Sequence, residues 1–498
     1  MTMCAENASA AALMTSGGDA RILLDPVTGL NRYHSAPCPR EMLAYASSTA
    51  NDISVAAYEA AEQVLAETGP APEPDIYAGR LERLRARIRR AYGVAEDVAI
   101  VFSPSGTDLE YVALAAVAGR APGGTNAVLL GADEVGSGCI HSAHGLYFAN
   151  ETALGVQTVP GAPVPGLGGV HVDLVDIPVR DPAGKVRPSA EIAARMEESI
   201  AAAASASRHS LAHIVHGSKT GLILPALADV DRMRAAYDAT FVVDACQARI
   251  TGDAVNQYLA RGAIVFVTGS KFMGGPPFSG FALVPPALAA SAAPLPAGFA
   301  TIFRRAEWPS DWPGADTLPD SVNIGLLLRL EASIFELERF QALATDAVTR
   351  VILAFHAAVR SEIIERSPAR RVAPYPPGDR GEADTHPIEM RTLSTLDLSA
   401  LKPNGASFED AQAWHKAMAL SGVRVGQPVK CVRLADGMMG PPSRGPGDRA
   451  APSWGATLRI GLTMGQIVDL ASLDENGLGQ TLSSDMAAIR EALILAAD

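Results

Sequence analysis

The sequence predicts an α/β protein with a mainly parallel sheet covered by helices on both faces, followed by a smaller α+β C-terminal domain. Two observations carry this reading. Short, nearly continuous apolar runs (VAIVF, NAVLLG, LAHIVH, FVVD, AIVFVT) alternate with helix-length stretches, the pattern of strands buried on both faces. Past the Trp- and Pro-rich stretch Glu307 to Asp320, that alternation gives way to a long helical region and a mixed second unit.

Residues 1–20 are rich in Ala, Ser and Gly and predict a mobile tail. Residues 21–75, punctuated by Pro and Gly, predict an irregular and helical segment that joins the small domain. From Asp75, Leu81, Leu84, Ile88 and Tyr92 recur at helical spacing, with arginines between them on the wet face. The large domain, 76–320, holds strands at Val98 to Phe102, Asn126 to Gly131, Val172 to Ile177, Leu211 to His216, Phe241 to Asp244 and Ala263 to Thr268. Ser189 to Ser205 and Ala228 to Ala239 read as helices between them. In 321–498, one long helical region from Val322 to Ser361 leads into the small domain. There Phe408 to Leu420 and Ser484 to Ala496 read as helices, and Ile388 to Leu393 and Thr457 to Leu462 as strands. Cys431 to Gly455 reads as a long surface loop.

With 498 residues, 48% hydrophobic and 19% charged, the chain fits an ordinary globular protein of two domains. Lys and Arg total 41 against 54 Asp and Glu, and the net charge of −13 argues against nucleic-acid binding. Cys4, Cys38, Cys139, Cys246 and Cys431 are odd in number and lack CxxC spacing, which predicts neither a metal site nor a disulfide framework and suits a reducing cytoplasm. The N-terminus lacks the pattern of a secretory signal, and no apolar run approaches the ~18 residues of a membrane span.

Ligands of parallel sheets bind outside the carboxyl ends of the strands. FVVDACQ places Asp244 and Gln247 there, and VFVTGSK places Thr268, Ser270 and Lys271 just past the next strand. The interval suits one strand–connection–strand step, so Asp244 and Lys271 face one crevice. A buried lysine shifts to its neutral form and can make a Schiff base, whereas a buried acid requires a cationic partner. A protonated pyridine nitrogen is such a partner, and lysine plus aspartate around a pyridine is the pyridoxal-phosphate arrangement. SPSGTDLE, Ser103 to Glu110, is a small-residue turn entering a helix. Its amides and the Ser105 and Thr107 hydroxyls favour an anion, although SGT also serves as an ordinary helix N-cap.

Together SGT, HGSKTGLILP, DACQ and TGSK resemble the fold-type I pyridoxal-phosphate enzymes, in particular the class V aminotransferase and cysteine desulfurase group, over Ser103 to Gly280 and more loosely beyond. The resemblance implies a seven-stranded, mainly parallel sheet, pyridoxal 5'-phosphate as cofactor and a homodimer. It implies that Lys271 carries the cofactor as a Schiff base and shuttles protons, that Asp244 holds the pyridine nitrogen, and that Gln247 bonds the phenolic oxygen. Gly106 and Thr107 would grip the phosphate beside Ser105, Thr268 and Ser270. LPDSVNIG is similar to a segment that reaches phosphate across the dimer, through Ser321 and Asn323 of the partner subunit. Arg459 in ATLRIGL matches an arginine that binds the carboxylate of an amino- or keto-acid substrate. Arg32 or Tyr33 in LNRYH is placed at the pocket entrance by position.

The sequence departs from the family in three places. Ser218 and Lys219 stand where the family often has Asn-Glu before its Thr-Gly turn, so Ser218 becomes the candidate for the lost hydrogen bond. In DEVGSGCIHSAHG, Val135 occupies the place of a ring-stacking histidine, with His141 or His144 the candidates to reach back. Ser270 replaces a histidine before the lysine. Transamination is the leading reaction, since it requires only the lysine and the electron sink. A lyase or decarboxylase would use the same residues. Desulfuration would need a nucleophilic cysteine, for which Cys431 is the candidate. A cofactor-binding sensor module is the non-enzyme alternative, disfavoured by the acidic charge and the lack of a basic DNA-binding segment before Asp75.

Overall fold

Val, Ile, Leu and Phe fill most strand-forming runs without the alternation of a half-wet sheet, so those runs must be covered on both sides; the edge run VDLVDI, exposed at Asp173, Val175 and Asp176, is the exception. In the computed structural model, which describes residues 9–132, 134–136, 138–167, 171–374, 392–434 and 453–498, β1 (Leu43–Tyr45) stands apart from a large sheet. That sheet contains β2 (Ala99–Ser103), β3 (Thr125–Leu130), β4 (Val172–Ile177), β5 (His209–His216) and β6 (Ile223–Leu224). β7 (Ala239–Asp244), β8 (Ile264–Thr268) and β9 (Gly280–Val284) complete it. Their order is β2-β9-β8-β7-β5-β3-β4, with β6 beside β5. β4, β3, β5, β7 and β8 pair in parallel, whereas β9 is antiparallel to both β8 and β2. Every residue of β3, β5, β8 and β9 is buried. The helix Leu109–Val117 is likewise buried on all sides, as a helix apolar all round must be.

The second unit holds β10 (Arg370–Arg371), β11 (Leu393–Asp397) and β13 (Thr457–Gly461) as an antiparallel sheet. β12 (Val423–Val425) pairs in parallel with β1, which ties the N-terminal segment to this unit. Capping boxes start two of its helices: Ser407 with Asp410 opens Phe408–Leu420, and Thr463 with Gln466 opens Met464–Ala471. The last helix, Glu475–Ala497, is longer than the periodicity indicates.

Several expectations are corrected. The continuous helical region is two helices, Ile324–Gln341 and Thr345–Ala358, and the path bends by 103°. Ala344 is extended, with φ −66° and ψ 141°, and Asp346 in the next first turn complements a new helix dipole. The strand expected at Ile388 to Leu393 starts at Leu393, and positions 388–391 lie outside the described residues, as does 435–452 of the expected loop. Ala239 opens β7 instead of closing a helix that already ends at Ala236. Residues 9–20 of the expected tail are packed: Ala10 and Met14 are buried, and the Arg329 guanidinium takes the carbonyls of Met14, Ser16 and Gly17. Cys38 is disulfide-bonded, a pairing that sequence spacing does not reveal because bridging depends on Cα proximity. Among the described residues, no single helix is long and apolar enough to cross a membrane.

The loop after β8 is pressed onto the helix Ile324–Gln341. A Cβ on Gly269 would lie 2.2 Å from Ser333 Oγ and 2.4 Å from Ser333 Cβ. The hydroxyl can rotate away but the Cβ cannot. Gly269→Ala should therefore destabilise the protein by about 1–3 kcal/mol, measured as a lowered urea midpoint with an unchanged m-value.

Candidate functional site

Parallel register brings the predicted residues to one edge. Asp244 lies opposite both Val215 on β5 and Phe266 on β8, and Gly280 lies opposite both Ser103 and Thr268. The half-buried Asp244 carboxylate accepts the Cys246 amide at 2.9 Å. Lys271, also half-buried, has an ammonium with neither a hydrogen bond nor an ion pair among the described residues. Its backbone is pinned instead, for Asn51 Nδ2 donates to the Lys271 carbonyl at 2.6 Å. Burial pushes the thiols of Cys246 and Cys139 well up, the Asp244 charge pushes them further, and the Lys271 charge opposes it. Acid and amine thus act on the same two buried groups.

The loop Ser103 to Asp108 comes down on β8 because it carries a glycine. A Cβ on Gly106 would sit 2.8 Å from Thr268 Cγ2 and 3.5 Å from Cys246 Sγ. Ser105 is a local cap: its hydroxyl donates to Asp108 Oδ2 at 2.5 Å and accepts the Thr107 and Asp108 amides. Burial pushes the Asp108 carboxyl up to about 7, with the Ser105 hydrogen bond opposing it. The Thr268 hydroxyl donates to the Cys246 carbonyl at 2.6 Å. Thr107 and Ser270 are buried, and their hydroxyls have no hydrogen-bond partner among the described residues. Gln247 is buried, with its Oε1 accepting from Arg249 Nη1 at 2.8 Å.

Ser218 is committed elsewhere. Its hydroxyl donates at 2.7 Å to Glu134, which also takes two bonds from Arg180, at 2.8 and 3.1 Å, and the Thr220 amide at 3.1 Å. Burial by itself would raise the Glu134 pKa, but Arg180, Ser218 and Thr220 reverse it and hold the carboxylate below its ordinary value. The next residue, Val135, is buried. His141 sits on the short turn Cys139–Ser142 and His144 just after it, and no hydrogen bond or ion pair links either imidazole to Asp244 or Lys271. From that stretch it is Cys139 that lies within electrostatic reach of Asp244, Lys271 and Lys219.

Arg459 reaches this edge from β13. Its Nε donates to the Gln427 carbonyl at 2.9 Å and its Nη1 to the Lys219 carbonyl at 3.1 Å. Burial pulls its pKa down to about 10, with Glu134 opposing. Burial also lowers Lys219, against the pull of Glu134 and with help from Arg459 and Lys271. Cys431 is buried nearby, and burial pushes its thiol up to about 12. Arg32 is exposed, and Tyr33 bears electrostatically on Arg21. Ser321 is exposed, whereas Asn323 caps the helix Ile324–Gln341, accepting from Leu326 and donating to Gly17, each at 3.0 Å.

Sequence reading passed over Asn51, Glu134, Arg180 and Arg249. Glu134 carried a usable signal, since it lies just past β3 at a strand end. The others come from distant positions and have no spacing pattern that announces them.

No family model and no curated protein matches the sequence. Solved structures do match. A ureidoglycine–glyoxylate aminotransferase from Bacillus subtilis is 13% identical with a TM-score of 0.51, covering 90% of this chain and 98% of its own. A pyridoxamine–pyruvate aminotransferase from Mesorhizobium loti is 15% identical with a TM-score of 0.50, covering 92% of this chain and 98% of its own. A NifS-like protein is 13% identical with a TM-score of 0.51, covering 90% of this chain and 99% of its own. The chain shares the fold of these proteins.

Removing one charge of a buried pair strands the other. Glu134→Gln should cost about 3 kcal/mol in a urea titration.

Proposed function

We propose that the chain is a pyridoxal-phosphate enzyme acting on an amino acid and a keto acid, with amino-group transfer as its reaction. One observation carries the reading: a half-buried lysine whose amine has no partner among the described residues, and a carboxylate, stand at adjacent strand ends of one parallel edge. The chemistry of the remaining donors fits the group. Thr107 and Ser270 offer hydroxyls that make no hydrogen bond among the described residues, and the glycine at 106 lets the Thr107 loop pack closely against Thr268 at the strand end. When bound, the cofactor supplies the electron sink that weakens the bonds at the substrate's α-carbon.

The chain's own residues then divide the work. The Lys271 amine attaches the cofactor and moves a proton at the substrate's α-carbon. Asp244 keeps a proton on the ring nitrogen, and Gln247 donates to the phenolic oxygen. The Gly106 amide with the Thr107 and Ser270 hydroxyls holds the phosphate. Ser105 and Thr268 act indirectly, by shaping the loop and holding the Cys246 carbonyl. Arg459 orients the substrate carboxylate through Nη2, which makes no hydrogen bond among the described residues, while Nε and Nη1 anchor the guanidinium to two carbonyls. In a homodimer the exposed Ser321 remains available to the partner's phosphate, whereas the Asn323 amide is occupied by its cap.

Transamination leads because Lys271 and Asp244 suffice for it, and two proteins of this fold bear aminotransferase names. Elimination and decarboxylation would use the same residues. Desulfuration draws support from the electrostatic reach of Cys431 to Arg459, but a thiol pushed up to about 12 supplies little thiolate. The test is an absorbance spectrum of the purified protein with added cofactor, followed by an amino-acid and keto-acid screen. A visible band that disappears in Lys271→Ala, together with a loss of keto-acid release of at least about a hundredfold, is expected. A band that persists in that variant overturns the assignment. Cys431→Ala should leave turnover unchanged; loss of sulfide release from cysteine in that variant would instead establish desulfuration.

A further inference from the structure

We infer that Arg249 is a positioning residue that decides which end of the Gln247 amide faces the site. The chain turns between the two through Ala248, which has a left-handed φ of 58°. Arg249 is thereby folded back along Gln247 and is 0% exposed. No carboxylate pairs with it among the described residues. Its donors go to neutral acceptors instead: Nε to Thr392 Oγ1 at 2.9 Å, Nη1 to Gln247 Oε1 at 2.8 Å, and Nη2 to the Ser47 hydroxyl and carbonyl. The guanidinium also lies over the Phe272 ring, 5.4 Å from its centroid.

A guanidinium only donates hydrogen bonds. The amide end it holds must therefore be the oxygen, which leaves the Gln247 NH2 as a donor on the opposite side. A flipped amide would set donor against donor inside a dry site, which costs the full desolvation of both groups. Gln247 is thus preset to serve an acceptor. On the function proposed above, on which this inference rests, that acceptor is the phenolic oxygen of the cofactor ring. Ser47 and Thr392 belong to the N-terminal segment and the second unit, so the orientation of the amide depends on how that unit packs.

The test is a pH titration of the visible absorbance of the protein loaded with pyridoxal 5'-phosphate. A donor to the phenolic oxygen favours its charged form, so losing that donor raises the titration midpoint. Arg249→Met should raise it by about one pH unit. Arg249→Lys, which still donates to Oε1, should return it toward the parent value. Gln247→Glu keeps a partner for Arg249 but cannot donate, so it should raise the midpoint as far as Arg249→Met does. A folded Arg249→Met protein with an unmoved midpoint overturns the inference and leaves the proposed function standing. Absence of any cofactor band in the parent protein overturns both. Should Arg249→Met fail to fold, Gln247→Glu decides by itself, and an unmoved midpoint there overturns the inference.

Discussion

Parallel pairing is the constraint on which everything else in this molecule depends. It delivers the carboxyl end of each strand to the same edge, so residues far apart in the chain meet without any local signal to join them. Asp244 closes β7 and Lys271 follows β8, and the register of those two neighbouring strands sets their separation. β9, antiparallel to both of its neighbours, starts where β2 and β8 end. It thereby returns the loop after Lys271 to the sheet within a few residues. Slipping any of these pairings would scatter the site before any side chain was changed.

Gathering charge at a buried edge carries a desolvation cost, and the chain meets it in two ways. Glu134 and Arg180 neutralise each other, with the Ser218 and Thr220 hydroxyls and an amide satisfying the remaining lone pairs. Arg249 and Arg329 have no carboxylate partner among the described residues and distribute their donors over carbonyls, hydroxyls and an amide oxygen; burial pulls both down to about 9. These neutral networks also connect distant parts of the molecule. Arg329 joins the Phe278 carbonyl after the lysine loop to the N-terminal segment, and Arg249 joins Gln247 to Ser47 and Thr392. The Lys271 amine makes no hydrogen bond or ion pair among the described residues.

Much of this was readable in advance. The apolar runs located nearly every strand of the large sheet, because a strand buried on both faces leaves an unbroken hydrophobic signature. Asp244, Gln247, Thr268 and Lys271 become candidates by one rule, that ligands of parallel sheets bind outside the carboxyl ends of the strands. The same rule points at Glu134, just past β3. Other features had no local signature. The bend at Ala344 breaks a sequence whose apolar periodicity runs on. Asn51 holds the Lys271 carbonyl across 220 positions of chain. The choice between cap and ligand for Ser105 and Asn323 depended on which neighbours arrived, and both have protein partners.

By itself, then, the sequence determined the class of fold and the strand ends at which Asp244 and Lys271 stand. Those properties follow from hydrophobic pattern and strand order, which are local or nearly so. Only the tertiary structure decided which polar groups remain free. Ser218 went to Glu134 and Thr268 to the Cys246 carbonyl, while Thr107, Ser270 and the Lys271 amine have no partner among the described residues. Hydrogen bonds are made to whatever packing brings within reach, and that is a property of the folded chain.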